Sequence, residues 1–512
     1  LISKLASGNV KREIIMKSPF SFCFWASRMV CMLAAVWAAI LWNGMAAPAS
    51  LAGSRPNIVF VLTDDQGYGD LGCHGNPILK TPNLDRLHDA SVRFLEFHVS
   101  PTCAPTRCAL MTGRHEFRSG VTHTIFERER MSLKAVTIAQ LLQKAGYKTG
   151  IFGKWHLGDE PEYQPNRRGF DEVFIHGAGG IGQTYKGSCG DAPGNKYFNP
   201  AILHNGVFEK TKGYCTDVFF NQAIEWINRQ RQAKTPFFAY ITPNAPHAPL
   251  DCPPEYESRY TNQVPKAAAA FFGMIANIDD NMGKLLSKLR EWNIATNTLV
   301  IFMTDNGGTA GLKIYNAGMR SGKGTPYRGG TRVPAFFHWP GVLEPRAMTN
   351  LAAHLDIFPT LAELAGATIP ADVAAKLEGR SLLPLFQNPQ ADWPDRILIT
   401  HVGRWERGKA AESKYLNCRV RNTRYEIVRA GKASKQWELY DLLNDPGEKE
   451  NMAASHPEIV QSLEKVYDAW WDSVQPDLIN ENLDGPPVNP FKELYWKQFP
   501  DERPKNIQSE TK

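Results

Sequence analysis

At 512 residues, with 43% hydrophobic and 21% charged side chains, the chain can build one large core and a second, smaller one, and its balance is that of an ordinary globular protein. The formal charge of +6 sits mostly at the start, where Lys4, Lys11, Arg12, Lys17 and Arg28 face only Glu13. The remainder carries about +2, which makes no case for a nucleic-acid partner or a membrane-binding surface.

Residues 1–52 read as a targeting leader. Basic residues precede an apolar run over 29–42, and Ala47-Pro48-Ala49 offers a small-residue cleavage site. Export to a secreted or periplasmic location is expected, with membrane attachment the alternative if the leader stays uncleaved. Met16 would open a more usual signal peptide than Leu1 does.

From residue 57 to about 366, short apolar runs alternate with helix-like segments, the rhythm of an α/β domain. Strands are expected at 58–62, 149–152, 236–241 and 299–303, whose continuous apolar character suits strands covered on both faces. Helices are expected at 137–145, closed by Gly146, and at 268–292. Beyond the stretch 377–386 the pattern changes to short antiparallel strands at 396–402, 425–429 and 437–440, followed by an amphipathic helix over 456–474. The fold class expected is therefore α/β, with a mostly parallel central sheet flanked by helices over 53–388. A small C-terminal α+β domain with an antiparallel sheet follows over 389–476, and 477–512 form a tail.

Nine cysteines are present, and Cys23 and Cys31 lie in the leader. Setting Cys103 apart, Cys73, Cys108, Cys189, Cys215, Cys252 and Cys418 form an even set suited to disulfides in an oxidising compartment. A structural zinc site is disfavoured, because no C-x-x-C pair occurs.

All four apolar strands run into polar residues. The first leads into Asp64-Asp65, the second into Lys154-Trp155-His156, the third into Pro246-His247 and the fourth into Asp305-Asn306. In an open α/β sheet, sites form outside the carboxyl ends of the strands, so these groups would meet on one edge. Three carboxylates and an amide oxygen are hard donors, which favours Ca²⁺ or Mg²⁺ over zinc. An Asp-Asp pair alone is as readily a capping signal; the matching Asp305-Asn306 pair argues for a metal. A bound anion would then need further cations, for which Arg107, Lys154 and Lys323 are candidates. Pro105 suits a helix's first turn and Gly113 its end, which puts Cys103 at a helix N-terminus, a place that favours a developing anion.

The segment Cys103-Ala104-Pro105-Thr106-Arg107, running on to Thr112-Gly113-Arg114, resembles the C-x-P-S/T-R signature of formylglycine-dependent sulfatases, the arylsulfatase-like branch of the alkaline phosphatase superfamily. A second signature of that family matches residues 146–156, Gly-Tyr-Lys-Thr-Gly-Ile-Phe-Gly-Lys-Trp-His. Further matches are Asp64-Asp65-Gln66-Gly67-Tyr68-Gly69-Asp70, Pro82-Asn83-Leu84-Asp85-Arg86-Leu87, Pro246-His247-Ala248-Pro249 and Thr304-Asp305-Asn306-Gly307, all in the family's order.

The resemblance implies a specific chemistry. A separate formylglycine-generating enzyme would oxidise Cys103 to formylglycine (3-oxoalanine), whose hydrate is a geminal diol. One hydroxyl attacks sulfur, and the second, once deprotonated, expels sulfate. The resemblance makes Asp64, Asp65, Asp305 and Asn306 the ligands of one Ca²⁺, with residue 103 completing the shell. It also implies that Arg107 holds the diol and the metal-site carboxylates, and that Lys154 contacts the diol and the sulfate. His156 would deprotonate the second hydroxyl, and His247, helped by Lys323, would protonate the leaving oxygen. The substrate expected is an aryl sulfate or a sulfated polysaccharide, with the loop 160–185 and Arg404-Trp405-Glu406-Arg407 as candidate pocket lining. A phosphonate or phosphate ester hydrolase using the same site is the alternative, and a non-catalytic glycan binder is disfavoured because every catalytic position is intact. One departure stands out: where the family has Gly-Thr-x-x-Glu-Gly-Gly, this chain has Arg328, and Cys108 within the signature helix is unusual.

Overall fold

The first expected strand forms as β1 (Asn57–Thr63), and its side chains alternate between two cores. Ile58, Phe60 and Leu62 join one apolar cluster, while Val59 and Val61 join another, as the two-residue period of a strand requires. The structure is a computed structural model that describes residues 50–431 and 435–505. The leader up to residue 49 lies outside the described residues; among those described, no helix is long and apolar enough to cross a membrane.

Nine more strands complete the large sheet: β2 (Val92–Phe94), β3 (Lys148–Lys154), β4 (Glu172–His176), β5 (Ala201–His204), β6 (Val207–Lys210), β7 (Phe237–Thr242), β8 (Thr298–Thr304), β9 (Ala335–His338) and β10 (Arg346–Met348). Their order is β10-β2-β9-β8-β1-β7-β3-β4-β5-β6. The five central strands from β8 to β4 are parallel, and antiparallel pairs flank them on both sides, so the sheet as a whole is mixed.

Helices cover both faces. One face carries α2 (Cys103–Thr112), α3 (Ile138–Lys144) and α6 (Ile357–Ala365), which bury Leu110, Met111, Leu142, Phe358 and Leu361 against the even-numbered side of β1. The other carries α1 (Pro82–Asp89), α4 (Cys215–Gln232) and α5 (Lys266–Glu291), whose Leu84, Phe219, Ile224, Ile278, Met282 and Leu285 pack on Val59 and Val61. Helix α3 begins with a capping box, in which the Thr137 hydroxyl accepts from Gln140 N and the Gln140 side chain accepts from Thr137 N.

The second sheet is antiparallel, β11 (Leu398–His401), β12 (Cys418–Arg421), β13 (Tyr425–Arg429) and β14 (Glu438–Asp441) in sequential order. Helix α7 (Pro457–Val474) lies across it and buries Leu463, Tyr467, Trp470 and Trp471 against Val420, Ile427 and Leu439. Phe117 from the large part enters this core, and Arg320 donates to the Tyr440 hydroxyl at 2.7 Å. From Leu51 onward the chain is one compact unit. Helix α8 (Pro490–Gln498) returns to the edge of the large sheet, where Gln498 bonds the Phe208 backbone at 2.7 and 2.8 Å.

All seven described cysteines are free thiols, so the disulfides expected of the even set are not formed. Cys108 packs with Leu110 and Cys418 lies in the C-terminal core, each apart from the rest, while Cys215 and Cys252 share the core of the opposite face, with Cys73 at its margin, and remain unpaired there. Cys108 is thus a packing residue of the signature helix.

Candidate active site

The registers bring the strand ends level. Thr63 stands opposite Thr304, Val61 opposite Ile241, and Gly153 opposite Thr242. The residues that follow therefore emerge side by side along one edge, as the parallel arrangement demands. Gly153 is required there, because a Cβ would meet the Thr242 carbonyl oxygen at 2.0 Å. Asp65 and His156 both adopt left-handed backbone, at φ 67° and 60°, which costs on the order of 1 kcal/mol each and is held by the contacts that their side chains make.

Asp64, Cys103 and Asp305 place ligand atoms within 4.8 Å of one another, and Asp64, Asp65 and His247 do the same. The Asp65 backbone N–H donates to Asp305 Oδ1 at 3.2 Å, and Asn306 Nδ2 donates to Asp65 Oδ1 at 2.9 Å. The Asn306 amide is thereby oriented, and its Oδ1 is buried with no hydrogen-bond partner, as is Asp64 Oδ1. Two orphaned oxygens among crowded carboxylates make a donor set suited to a hard divalent cation. The electrostatics agree. Burial, with Asp65 and Cys103 adding, pushes Asp64 up to about 6, and burial together with Asp64 raises Asp305. Burial opposes ionisation of Asp65 too, but Lys323, His247 and the Asn306 amide outweigh it and hold that carboxyl below its ordinary range.

Cations ring the cluster. Arg107, on the second turn of α2, sends Nε and Nη2 to Asp305 Oδ2 at 3.1 and 2.8 Å and Nη1 to the Lys154 carbonyl at 3.1 Å. Lys154 Nζ donates to Asp64 Oδ2 at 2.6 Å, and Lys323 Nζ donates to Asp65 Oδ1. Cys103 opens α2, and Gly113 ends that helix in left-handed backbone. Burial alone would raise the Cys103 thiol, yet Lys154, Lys323 and His247 bring it below its ordinary value.

The two histidines have assignable tautomers. His247 Nδ1 lies 2.7 Å from the Ala248 carbonyl, which can only accept, so Nδ1 carries a proton and Nε2 faces Asp65 Oδ2 at 3.9 Å. His156 Nε2 lies 2.9 Å from the Thr124 carbonyl and 3.1 Å from Glu129 Oε2, so Nε2 is the protonated nitrogen. Its Nδ1 is buried with no partner, and burial, reinforced by Lys154, pushes His156 down to about 4. Among the described residues His156 makes no hydrogen bond to Cys103 or to Asp64, Asp65 or Asp305. Glu129, which orients it, was not foreseen from the sequence; Glu127-Arg128-Glu129-Arg130 is an alternating charge run with no motif to mark it, yet all four side chains are buried.

Arg404 and Arg407 line a cavity of about 670 Å³ together with His123, Phe126 and Glu406. Trp405 is only 3% exposed, and its Nε1 donates to Glu481 Oε2 at 2.6 Å, so the indole packs in the core and offers no platform for a sugar. Arg328 is buried as well: Nη2 donates to Glu96 Oε1 at 2.6 Å, and its backbone N–H to Glu448 Oε1 at 2.9 Å.

The sulfatase family model matches residues 56–367, more than half of the chain, and a model described as N-sulphoglucosamine sulphohydrolase, C-terminal, matches 322–469. Human arylsulfatase A is 32% identical over 470 residues, covering 82% of this chain and 89% of its own. Human N-acetylgalactosamine-6-sulfatase is 34% identical over 377 residues, covering 68% and 69%. Among solved structures, Ps i-CgsB in complex with k-i-k-neocarrahexaose superposes with a TM-score of 0.74 at 28% identity, covering 90% of this chain and all of that one. With the signature helix, the strand-end carboxylates and the ring of cations all in place, the chain belongs to the sulfatase family and is a sulfuric ester hydrolase.

Proposed function

We propose that the chain hydrolyses the sulfate monoester of a sulfated sugar, with residue 103 as nucleophile after a formylglycine-generating enzyme has oxidised the Cys103 thiol, and with one Ca²⁺ held by Asp64, Asp65, Asp305 and Asn306. The observation that carries this reading is the placement of Cys103. It lies at the first position of α2, buried, between the Asp64–Asp305 carboxylates and the Lys154, Lys323 and His247 cations. A hydrated formylglycine supplies one hydroxyl for attack and a second for release of sulfate, and Ca²⁺ supplies a Lewis acid and template.

The chain's own groups divide the remaining work. Arg107 fixes Asp305 and spans to the Lys154 carbonyl, which holds β3 and β8 in register with the nucleophile. Lys154 and Lys323 bring positive charge against the site's carboxylates and are placed to meet sulfate oxygens once a cation occupies the cluster. His156, neutral at neutral pH with its proton on Nε2, presents Nδ1 as a base for the second hydroxyl. His247, with a proton already on Nδ1, delivers a proton from Nε2 when doubly protonated, and this suits the leaving oxygen.

A sugar substrate draws support from the kind of relatives found, one named for N-acetylgalactosamine 6-sulfate and one bound to neocarrahexaose. Export through the leader, to a secreted or periplasmic location, would bring the enzyme to such polymers. The test is mass spectrometry of the peptide containing residue 103 after coexpression with the maturation enzyme, followed by sulfate release from sulfated glycans, aryl sulfates and a phosphonate ester. Conversion with release from glycans supports the reading. Turnover of aryl sulfates alone would remove the sugar substrate, and preference for the phosphonate would remove the sulfatase chemistry itself.

A further inference from the structure

We propose that Cys73, His74 and His88 form a second metal site, of the zinc class, separate from the oxygen-donor cluster of the active site. Cys73 and His74 lie in the short turn Gly72–His74, and His88 lies in the last turn of α1. The fold brings one ligand atom of each within 4.8 Å of the other two. A thiolate with two imidazoles is a soft donor set that selects Zn²⁺ over Ca²⁺, and three protein ligands leave a fourth position open. The argument against zinc from the missing C-x-x-C pair does not reach this site, because its third ligand arrives from a neighbouring helix.

The outer contacts of the two imidazoles are those of ligating histidines. His74 Nδ1 lies 2.7 Å from the Tyr68 carbonyl, and His88 Nδ1 lies 2.8 Å from Asp89 Oδ1. Both partners accept, so each Nδ1 carries the proton and each Nε2 keeps its lone pair. Among the described residues neither Nε2 makes a hydrogen bond. A second-shell carbonyl or carboxylate on the far nitrogen is the usual companion of a metal-bound histidine. His74 is further fixed by stacking on Tyr68, with ring centroids 3.8 Å apart.

Cys73 is distinct among the described cysteines: it is partly exposed, and the other six are buried. Asp85, whose Oδ1 accepts from the Cys73 backbone N–H at 2.8 Å, stands beside the thiol. On binding, the thiol loses its proton to solvent and the sulfur–metal bond forms; no electron is transferred. Arg93 Nη1 bonds the His88 carbonyl at 3.4 Å, and Arg332 is engaged by Glu96 at 3.5 Å. The site would clasp the loop that follows Asp64-Asp65 to α1, because the carbonyls of Tyr68 and Gly69 are both held from that turn region.

The test uses the full chain, stripped of metal and then saturated with Ca²⁺ so that the oxygen cluster is filled. Titration with Co²⁺ is expected to give a near-ultraviolet thiolate-to-cobalt band that saturates at one equivalent and is displaced by Zn²⁺. In Cys73→Ser the band should vanish, and in His88→Gln the affinity should fall at least ~10-fold. A wild-type chain without the thiolate band, or one with the same zinc stoichiometry as Cys73→Ser, would overturn the proposal. If Cys73→Ser fails to fold, Cys103→Ala replaces it: the band is expected to persist there, and its loss would overturn the proposal.

Discussion

Lys154 Nζ lies 2.6 Å from Asp64 Oδ2, and both side chains are fully buried. The pair joins the ends of β1 and β3, which flank β7 in the central sheet, and it does so at the point where a divalent cation would bring the same countercharge. Asp64 stays raised to about 6 in spite of the lysine, because burial dominates.

Lys154→Met should destabilise the metal-free protein by about 3–5 kcal/mol, the usual cost of leaving one partner of a buried pair alone. Saturating Ca²⁺ should recover most of that loss by supplying the missing charge at Asp64. Thermal unfolding of both proteins with and without Ca²⁺ checks this. Equal destabilisation in both conditions would mean that Ca²⁺ does not bind at Asp64.

Cys103→Ala should reduce kcat by at least ~10³-fold while leaving the fold intact, since it removes the proposed nucleophile and only a small buried side chain. Sulfate release measured beside circular dichroism separates the two effects. Residual turnover near the wild-type value would assign the nucleophile elsewhere.

Restoring the family's acid with Arg328→Glu should be harmful here. Arg328 Nη2 is 2.6 Å from Glu96 Oε1, and its backbone N–H bonds Glu448, so a new carboxylate would enter a pocket that already holds two. A loss of about 3–5 kcal/mol in unfolding free energy is expected, with partial recovery in the double change Arg328→Glu, Glu96→Arg. Chemical denaturation of the two variants provides the comparison.

Glu116 supplies a pH dependence away from the carboxylate cluster. Burial pushes its carboxyl up to about 7, and only Oε1 has a hydrogen bond, from the Ser100 hydroxyl at 2.8 Å. A carboxyl whose folded pKa is raised holds its proton more tightly in the folded state. Its stabilising effect is complete below the unfolded value near 4.5 and is lost as pH rises through about 7. Glu116→Gln should flatten that slope, gaining on the order of a few kcal/mol relative to wild type between pH 5 and 8. Unfolding curves across that range that stay parallel for the two proteins would show Glu116 already ionised in the fold.

Four of the five central strands were legible because strands buried on both faces leave long apolar runs, and β1, β3, β7 and β8 appear within one or two residues of the expected ends, while the five-residue β4 was not expected. The short flanking strands β2, β5, β6, β9 and β10 carry no such run, since pairing at the margin of a sheet needs few residues and little periodicity. Strand ends that must converge could be deduced from parallel topology alone, so Asp64, Asp65, Lys154, His247, Asp305 and Asn306 were identifiable before any coordinates. Packing across distant segments decided the rest. Glu129 behind His156, the sealed indole of Trp405, the Glu96 partner of Arg328 and the meeting of Cys73 and His74 with His88 all join residues whose spacing in sequence carries no signal. Local patterns record which face of an element is buried, while contacts between elements depend on how the whole chain closes.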